Sequence, residues 1–204
     1  MNKSSSIIIG VIVVMFLLGI GAFFFTKHED KKEVAEITSS VKSSAKEMKS
    51  EYDELKIGGN VNDVNKKLGS PLYTEASTDS SGNAATVYTW GSNKSGELGA
   101  KLIVSAENNT IVEKAVSGIY VPYNKNKVVS ASKFENIQLN KDFTTKKAIQ
   151  EFGEPNAISE YKNINGKTTQ TYTWETNTTG PVGSYFTVIF TSDVATSKNE
   201  VGLT

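Results

Sequence analysis

The hydrophobic pattern changes period twice along this chain, and each stretch predicts a different kind of element. From Ile7 to Phe25 the sequence reads IIIGVIVVMFLLGIGAFFF, 19 residues without a charge. At about 1.5 Å per residue this run would form a helix of roughly 28 Å, close to the hydrocarbon thickness of a bilayer. A cleaved signal peptide has a shorter apolar region and small residues before the cut. Here the run closes on Phe23-Phe24-Phe25-Thr26-Lys27. The pattern therefore predicts a retained anchor over residues 1–26, touching the lipid bilayer through residues 7–25. Next, Val34, Val41, Met48 and Leu55 recur every seven residues, with Ile37, Ala45 and Tyr52 on the same stripe. That spacing predicts an amphipathic stalk helix over residues 27–51. Ser44 and Glu51 at the alternate seam positions suit a spacer better than a coiled-coil zipper.

From Tyr52 onward the pattern alternates between short helical stripes and period-two strands, and it does so twice. Tyr88-Thr89-Trp90 returns as Tyr172-Thr173-Trp174, 84 residues later. Leu68-Gly69-Ser70-Pro71 corresponds to Phe152-Gly153-Glu154-Pro155, and Gly82, Gly96 and Gly99 correspond to Gly166, Gly180 and Gly183. Ahead of the Gly-x-Pro the offset is 82, so the second copy carries two extra residues near its helix start. A fixed-offset series of this kind marks an internal repeat. In each copy a capped helix comes first: Asn60 caps one, Asp142 or Thr144 the other, and Gly69 or Gly153 followed by proline ends it. Alternating strands and Gly-containing turns follow. In the strands, Tyr88 and Trp90 share one side and Val87 and Thr89 the other. The expected fold is α+β: a transmembrane helix and helical stalk, then two tandem helix-plus-antiparallel-sheet repeats. The expected boundaries are 52–120 for the first repeat, 121–132 for a linker and 133–204 for the second repeat.

Composition removes most chemistry. The formal net charge is zero, and all 22 basic residues are lysine. Without arginine or a basic excess, nucleic-acid binding is not expected. No cysteine is present and the one histidine is His28, so thiol nucleophiles, histidine triads and His/Cys metal sites are excluded. No cofactor, metal or catalytic residue is expected. The acids Glu51, Asp53, Glu54, Asp142, Glu151, Glu154 and Glu175 show no spacing that sets two carboxylates across one cleft. Gly58-Gly59-Asn60 lacks the Lys-Ser/Thr ending of a phosphate loop and reads as an entry turn. The lysines flanking the apolar run favour an inside body. The Ser-, Thr-, Asn- and Gly-rich, cysteine-free composition favours an envelope protein. The expectation is a single-pass plasma-membrane protein with an extracytoplasmic body.

Ile57-Gly58-Gly59, Val64, Leu68-Gly69-x-Pro71 and a strand ending Tyr-x-Trp, then Leu139, Ile149 and Phe152-Gly153-x-Pro155, resemble the β-lactamase-inhibitor-protein-like fold. The single unit is also similar to small outer-membrane-assembly lipoproteins. The resemblance covers about Tyr52 to Thr204. The inhibitors resembled carry disulfides and the lipoproteins a lipidated cysteine, and neither has a counterpart here. What the resemblance implies is a binding scaffold for another protein, of inhibitor, immunity or assembly-adaptor type, and not an enzyme. The candidate contact residues are Thr89 and Thr173 on the sheet, Lys94 and Glu97 in one loop, and Asn177 and Thr178 in its counterpart. A carboxylate-dependent cell-envelope hydrolase and a purely structural surface domain are the alternatives.

Overall fold

The structure is a computed structural model; it describes residues 45–78, 83–91 and 99–204. Residues 45–54 form helix α1, and Val61–Leu68 forms α2. Strands β1 (Tyr73–Thr78), β2 (Ala84–Gly91), β3 (Lys101–Glu107) and β4 (Thr110–Ser117) follow. A 3-10 turn at Lys125–Lys127 leads into α3 (Ala131–Glu135) and α4 (Thr145–Phe152). Strands β5 (Ala157–Lys162), β6 (Thr168–Trp174), β7 (Tyr185–Thr191) and β8 (Val194–Val201) complete the chain. The eight strands form one antiparallel sheet in sequence order.

This corrects the expected α+β arrangement of two separate helix-plus-sheet repeats behind a transmembrane helix. Glu113–Val116 of β4 pair with Ile158–Tyr161 of β5, so both four-stranded runs belong to a single sheet with few, short helices. The physical reason is edge pairing. Apart, β4 and β5 would each present a row of unpaired backbone donors and acceptors, and joining satisfies both rows. The localisation is corrected as well. Among the described residues no helix is long and apolar enough to cross a membrane. The eight-residue helices α2 and α4 reach about 12 Å against the roughly 30 Å of a bilayer core. The apolar run 7–25 and stalk residues 27–44 lie outside the described residues. The plasma-membrane placement and the bilayer contact accordingly have no support in the fold.

All four helices bury side chains on one face of the sheet. Ala45, Met48 and Tyr52 of α1, Val61 and Val64 of α2, Phe134 of α3, and Ala148 and Phe152 of α4 join Trp90, Leu102, Val104, Val116, Tyr172, Trp174, Phe186, Val188 and Phe190 in one core. Local chemistry shapes each helix. Asn60 caps α2 through Asn62 N, and Thr144 caps α4 through Lys147 N. Gly69 and Gly153 end these helices at φ 76° and 83°, angles open to glycine and costly for a residue with a Cβ.

Structural devices recur 84 residues apart. The indole of Trp90 donates to Gly69 O at 3.0 Å, and that of Trp174 to Gly153 O at 2.8 Å. Bulges fall at Ser105/Ala106 and Ile189/Phe190. Two-residue turns with positive φ at both positions sit at Asn108-Asn109 and Ser192-Asp193, the torsions of a type I′ hairpin. Lys114 Nζ donates to the carbonyls of Tyr52 and Leu55 at 3.0 and 2.7 Å, closing the end of α1. Lys198 Nζ does the same for Phe134 and Glu135 at the end of α3, at 2.9 and 2.7 Å. Each ammonium also lies over an aromatic ring, Tyr52 at 4.3 Å and Phe134 at 4.9 Å.

Candidate partner-binding face

Alternation sends every second side chain to the other face of the sheet, away from the helices. Across all eight strands the register there reads Tyr73, Thr89, Ile103, Ala115, Ser159, Thr171, Ile189, Ser197. The neighbouring row reads Glu75, Val87, Ser105, Glu113, Tyr161, Thr169, Thr191. Thr173 lies in a third row with Ala157, Thr187 and Asn199. Of the aromatic side chains on this face, Tyr73 and Tyr185 stand towards the rim and Tyr161 stands on β5 opposite Glu113. The centre carries small or hydroxylated groups, and Val87, Ile103 and Ala115 form a minor apolar cluster of their own. Ala115, Ser159, Thr169 and Ser105 are all buried. The result is a low, hydroxyl-rich floor.

The two halves of the chain compare differently on the two faces. On the helix side, positions 84 apart hold the same residue at Tyr88 and Tyr172, Trp90 and Trp174, Val104 and Val188, and Lys114 and Lys198. On the open face Tyr73 meets Ala157, Glu75 meets Ser159, Ser77 meets Tyr161, Val87 meets Thr171, Ile103 meets Thr187 and Ala115 meets Asn199. Only Thr89 and Thr173 agree there. On the helix side this tyrosine, tryptophan, valine and lysine recur while Leu102, Ala106 and Ile111 become Phe186, Phe190 and Ala195; on the outward face a single threonine recurs.

Thr89 and Thr173 both sit on this open face, half-buried, and Thr173 Oγ1 lies 3.3 Å from Thr187 Oγ1. Lys94 and Glu97 lie outside the described residues. Asn177 is buried, and its side chain is committed: Oδ1 accepts from Asn124 N at 2.8 Å while Nδ2 faces Phe152 O. Asn177 thus ties the linker to the second half. Thr178 Oγ1 donates to Glu175 O and Ser184 O. The six expected contact residues therefore do not form one patch among the described residues; two belong to the sheet and two brace a loop.

Sequence reasoning missed Glu113. Its carboxyl stands in the centre of the open face, between Ser105 and Tyr161 on the adjacent strands. Burial pushes its pKa up to about 7, and its Oε1 is enclosed without a hydrogen-bond partner. Ser159 Oγ, on the next strand, is likewise unpartnered. Tyr161 is raised by burial and then by the charge of Glu113, and Thr169 Oγ1, across from it on β6, is also enclosed without a hydrogen-bond partner.

The acids weighed in the sequence do not assemble into a cleft. Glu51 and Glu54 both pair with Lys67, joining α1 to α2, and Asp142 pairs with Lys147. Among the described residues no group of three His, Cys, Asp or Glu could hold a metal ion.

The sequence profile of the β-lactamase inhibitor (BLIP) family matches residues 48–163, more than half of the 204. No curated protein sequence matches the chain. Among solved structures, the chain is similar to a Streptococcus mutans protein described as a candidate β-lactamase inhibitor protein. The two share 16% identity at a TM-score of 0.55, over 76% of this chain and 96% of that one. That identity speaks for the fold alone.

Proposed function

Because the chain belongs to the β-lactamase inhibitor (BLIP) family, we propose that it is a protein-binding inhibitor module that receives its partner on the open face of the sheet. The family is one of inhibitors, not enzymes. The observation carrying the reading is the contrast between faces. Both copies retain the tyrosine, tryptophan, valine and lysine of the helix side and keep it apolar, while the open face is free of helices among the described residues and differs at every matched pair named above except Thr89 and Thr173. A rigid sheet can hold recognition groups in fixed positions, and its row of small residues leaves room for a protruding segment of a partner. Thr89 and Thr173 stand on this surface. Lys94, Glu97 and Thr178 are further candidate contacts by sequence, and Asn177 braces the loop that carries Thr178.

The family name makes a β-lactamase the first partner to test. The full chain is titrated against a panel of β-lactamases with a chromogenic substrate. The reading expects saturable inhibition that Thr89→Lys and Thr173→Lys abolish and Lys146→Glu, on the exposed side of α4, leaves intact. Equal effects of the sheet and helix variants would sink the open-face reading. No inhibition across the panel would reject a β-lactamase as the partner.

A further inference from the structure

We propose that the open face holds a cation-accepting notch, in which Glu113 and Ser159 take a lysine or arginine side chain presented by the bound protein. This rests on the reading above that the open face is the docking surface. Glu113 Oε1 and Ser159 Oγ are enclosed polar atoms with no partner within the chain. Buried polar atoms are paired as a rule, and an exception calls for an explanation. The two belong to adjacent strands: Glu113 pairs with Tyr161, two residues along β5 from Ser159, which itself pairs with Ala115. They therefore occupy one small area of the floor, bordered by Ser105, Tyr161 and Thr169.

The charge environment selects the occupant. Facing Glu113 are Ser105 from β3 and Tyr161 from β5, neither carrying charge at neutral pH. Further along the same row stand Val87, Thr169 and a second acid, Glu75. Among the described residues the only lysine of this face is Lys101, which lies four residues away on β3 and pairs with Ser117. On the helix side, by contrast, Lys114 and Lys198 are both committed to backbone carbonyls. A carboxylate left without a cation in its own chain, beside acceptor-capable hydroxyls, suits an ammonium or guanidinium from outside. An anionic or purely apolar segment would leave Oε1 buried and unpaired.

Burial of Glu113 adds a pH signature. Protonation below about pH 7 removes the acceptor charge, so affinity for a cationic segment falls on acidification.

The test selects a phage-displayed library of random constrained loops on the immobilised full chain at pH 8. Counter-selection on Thr173→Lys keeps only binders of the open face. The expected result is lysine or arginine enriched at one loop position. Affinity of those loops should fall about tenfold or more on Glu113→Gln, the loss of one charge-assisted hydrogen bond, and by a smaller factor on Ser159→Ala. Wild-type affinity should also fall between pH 8 and pH 5.5, a dependence that Glu113→Gln abolishes. The near-ultraviolet circular dichroism of both variants should match the wild type, because neither loses an internal hydrogen bond. Open-face binders without an enriched cation, or with undiminished affinity for both variants, overturn the notch and leave the docking surface standing. If the loops that bind the wild type all bind Thr173→Lys as well, so that counter-selection leaves none, the docking surface is overturned and the notch with it.

Discussion

The two halves close the same backbone over the helix-side core in different ways. In the first half the core is largely aliphatic, with Leu68, Leu102, Ala106 and Ile111 around Trp90, and α1 lays Ala45, Met48 and Tyr52 across it. At the matching positions the second half places Phe152, Phe186, Phe190 and Ala195 around Trp174. Its counterpart to α1 is the five-residue α3, which buries only Phe134. Trp174 stacks on Phe186 at 4.9 Å and meets Phe152 edge-on at 5.7 Å, whereas the ring contact of Trp90 is with Tyr88 at 5.9 Å. A short helix covers little area, so rings fill the space that helical side chains fill in the other half. What both halves keep is the polar hardware: indole to glycine carbonyl, and lysine to the helix end. Apolar volume can be supplied by many residues of similar bulk; a directed hydrogen bond to one buried carbonyl has few substitutes.

This contrast can be broken most forcefully at the tryptophans. Trp174→Ala should cost about 4–5 kcal/mol and Trp90→Ala about 3 kcal/mol, read by urea unfolding of the full chain. An equal or reversed order would show that the aromatic cluster does not concentrate stability in the second half. The lysines sharpen the shared part. Lys114→Met and Lys198→Met each strand two carbonyls and should each cost about 2–3 kcal/mol, differing by less than about 1 kcal/mol. A neutral result for either would mean its helix end is satisfied by other means.

Glu113 has no acidic counterpart, since Ser197 occupies the matching position. Its folded-state pKa, about 7, lies above the ordinary 4.5, so the folded protein holds this proton longer than the unfolded chain. The stability contribution is full below about pH 4.5 and is lost as the pH rises through 7. Glu113→Gln should therefore raise stability by about 2 kcal/mol at pH 8, allowing for the partial exposure of the side chain, and leave it unchanged at pH 4. A uniform effect at both pH values would contradict the burial of the charge. Smallest in stability are Thr89→Lys and Thr173→Lys, each expected within about 0.5 kcal/mol of wild type while abolishing partner inhibition. Loss of folding in either would place these residues in the core.

Much of the local structure was legible because it depends on nearby residues. Asn60 and Thr144 at the helix starts, Gly69 and Gly153 at the ends, and the alternation of Tyr88 and Trp90 against Thr89 each need only a few neighbours. The β4–β5 pairing was not legible, because alternating residues in both strands specify that an edge exists without specifying which edge it meets. The start of β8 at Val194 was not legible either, because Ser192-Asp193 does not announce a two-residue turn as Asn-Gly would. Lys114 and Lys198 read as solvent-facing in any pattern; their role appears only when a helix end comes to lie over each. The 84-residue offset between them was the available signal. Glu113 is hidden for a similar reason, since a carboxylate in an alternating strand looks exposed until the sheet encloses it. Asn177 illustrates the opposite error, a polar loop residue that proves to be a buried brace.

The claim that the open face is the recognition surface is tested most directly by amide hydrogen exchange of the full chain, alone and saturated with a β-lactamase that it inhibits. The account predicts slowed exchange along β3 to β6, centred on Ile103, Ala115, Ser159 and Thr171, with α2 and α4 unchanged. Protection confined to the helices, with the strands exchanging as in the free chain, would contradict it.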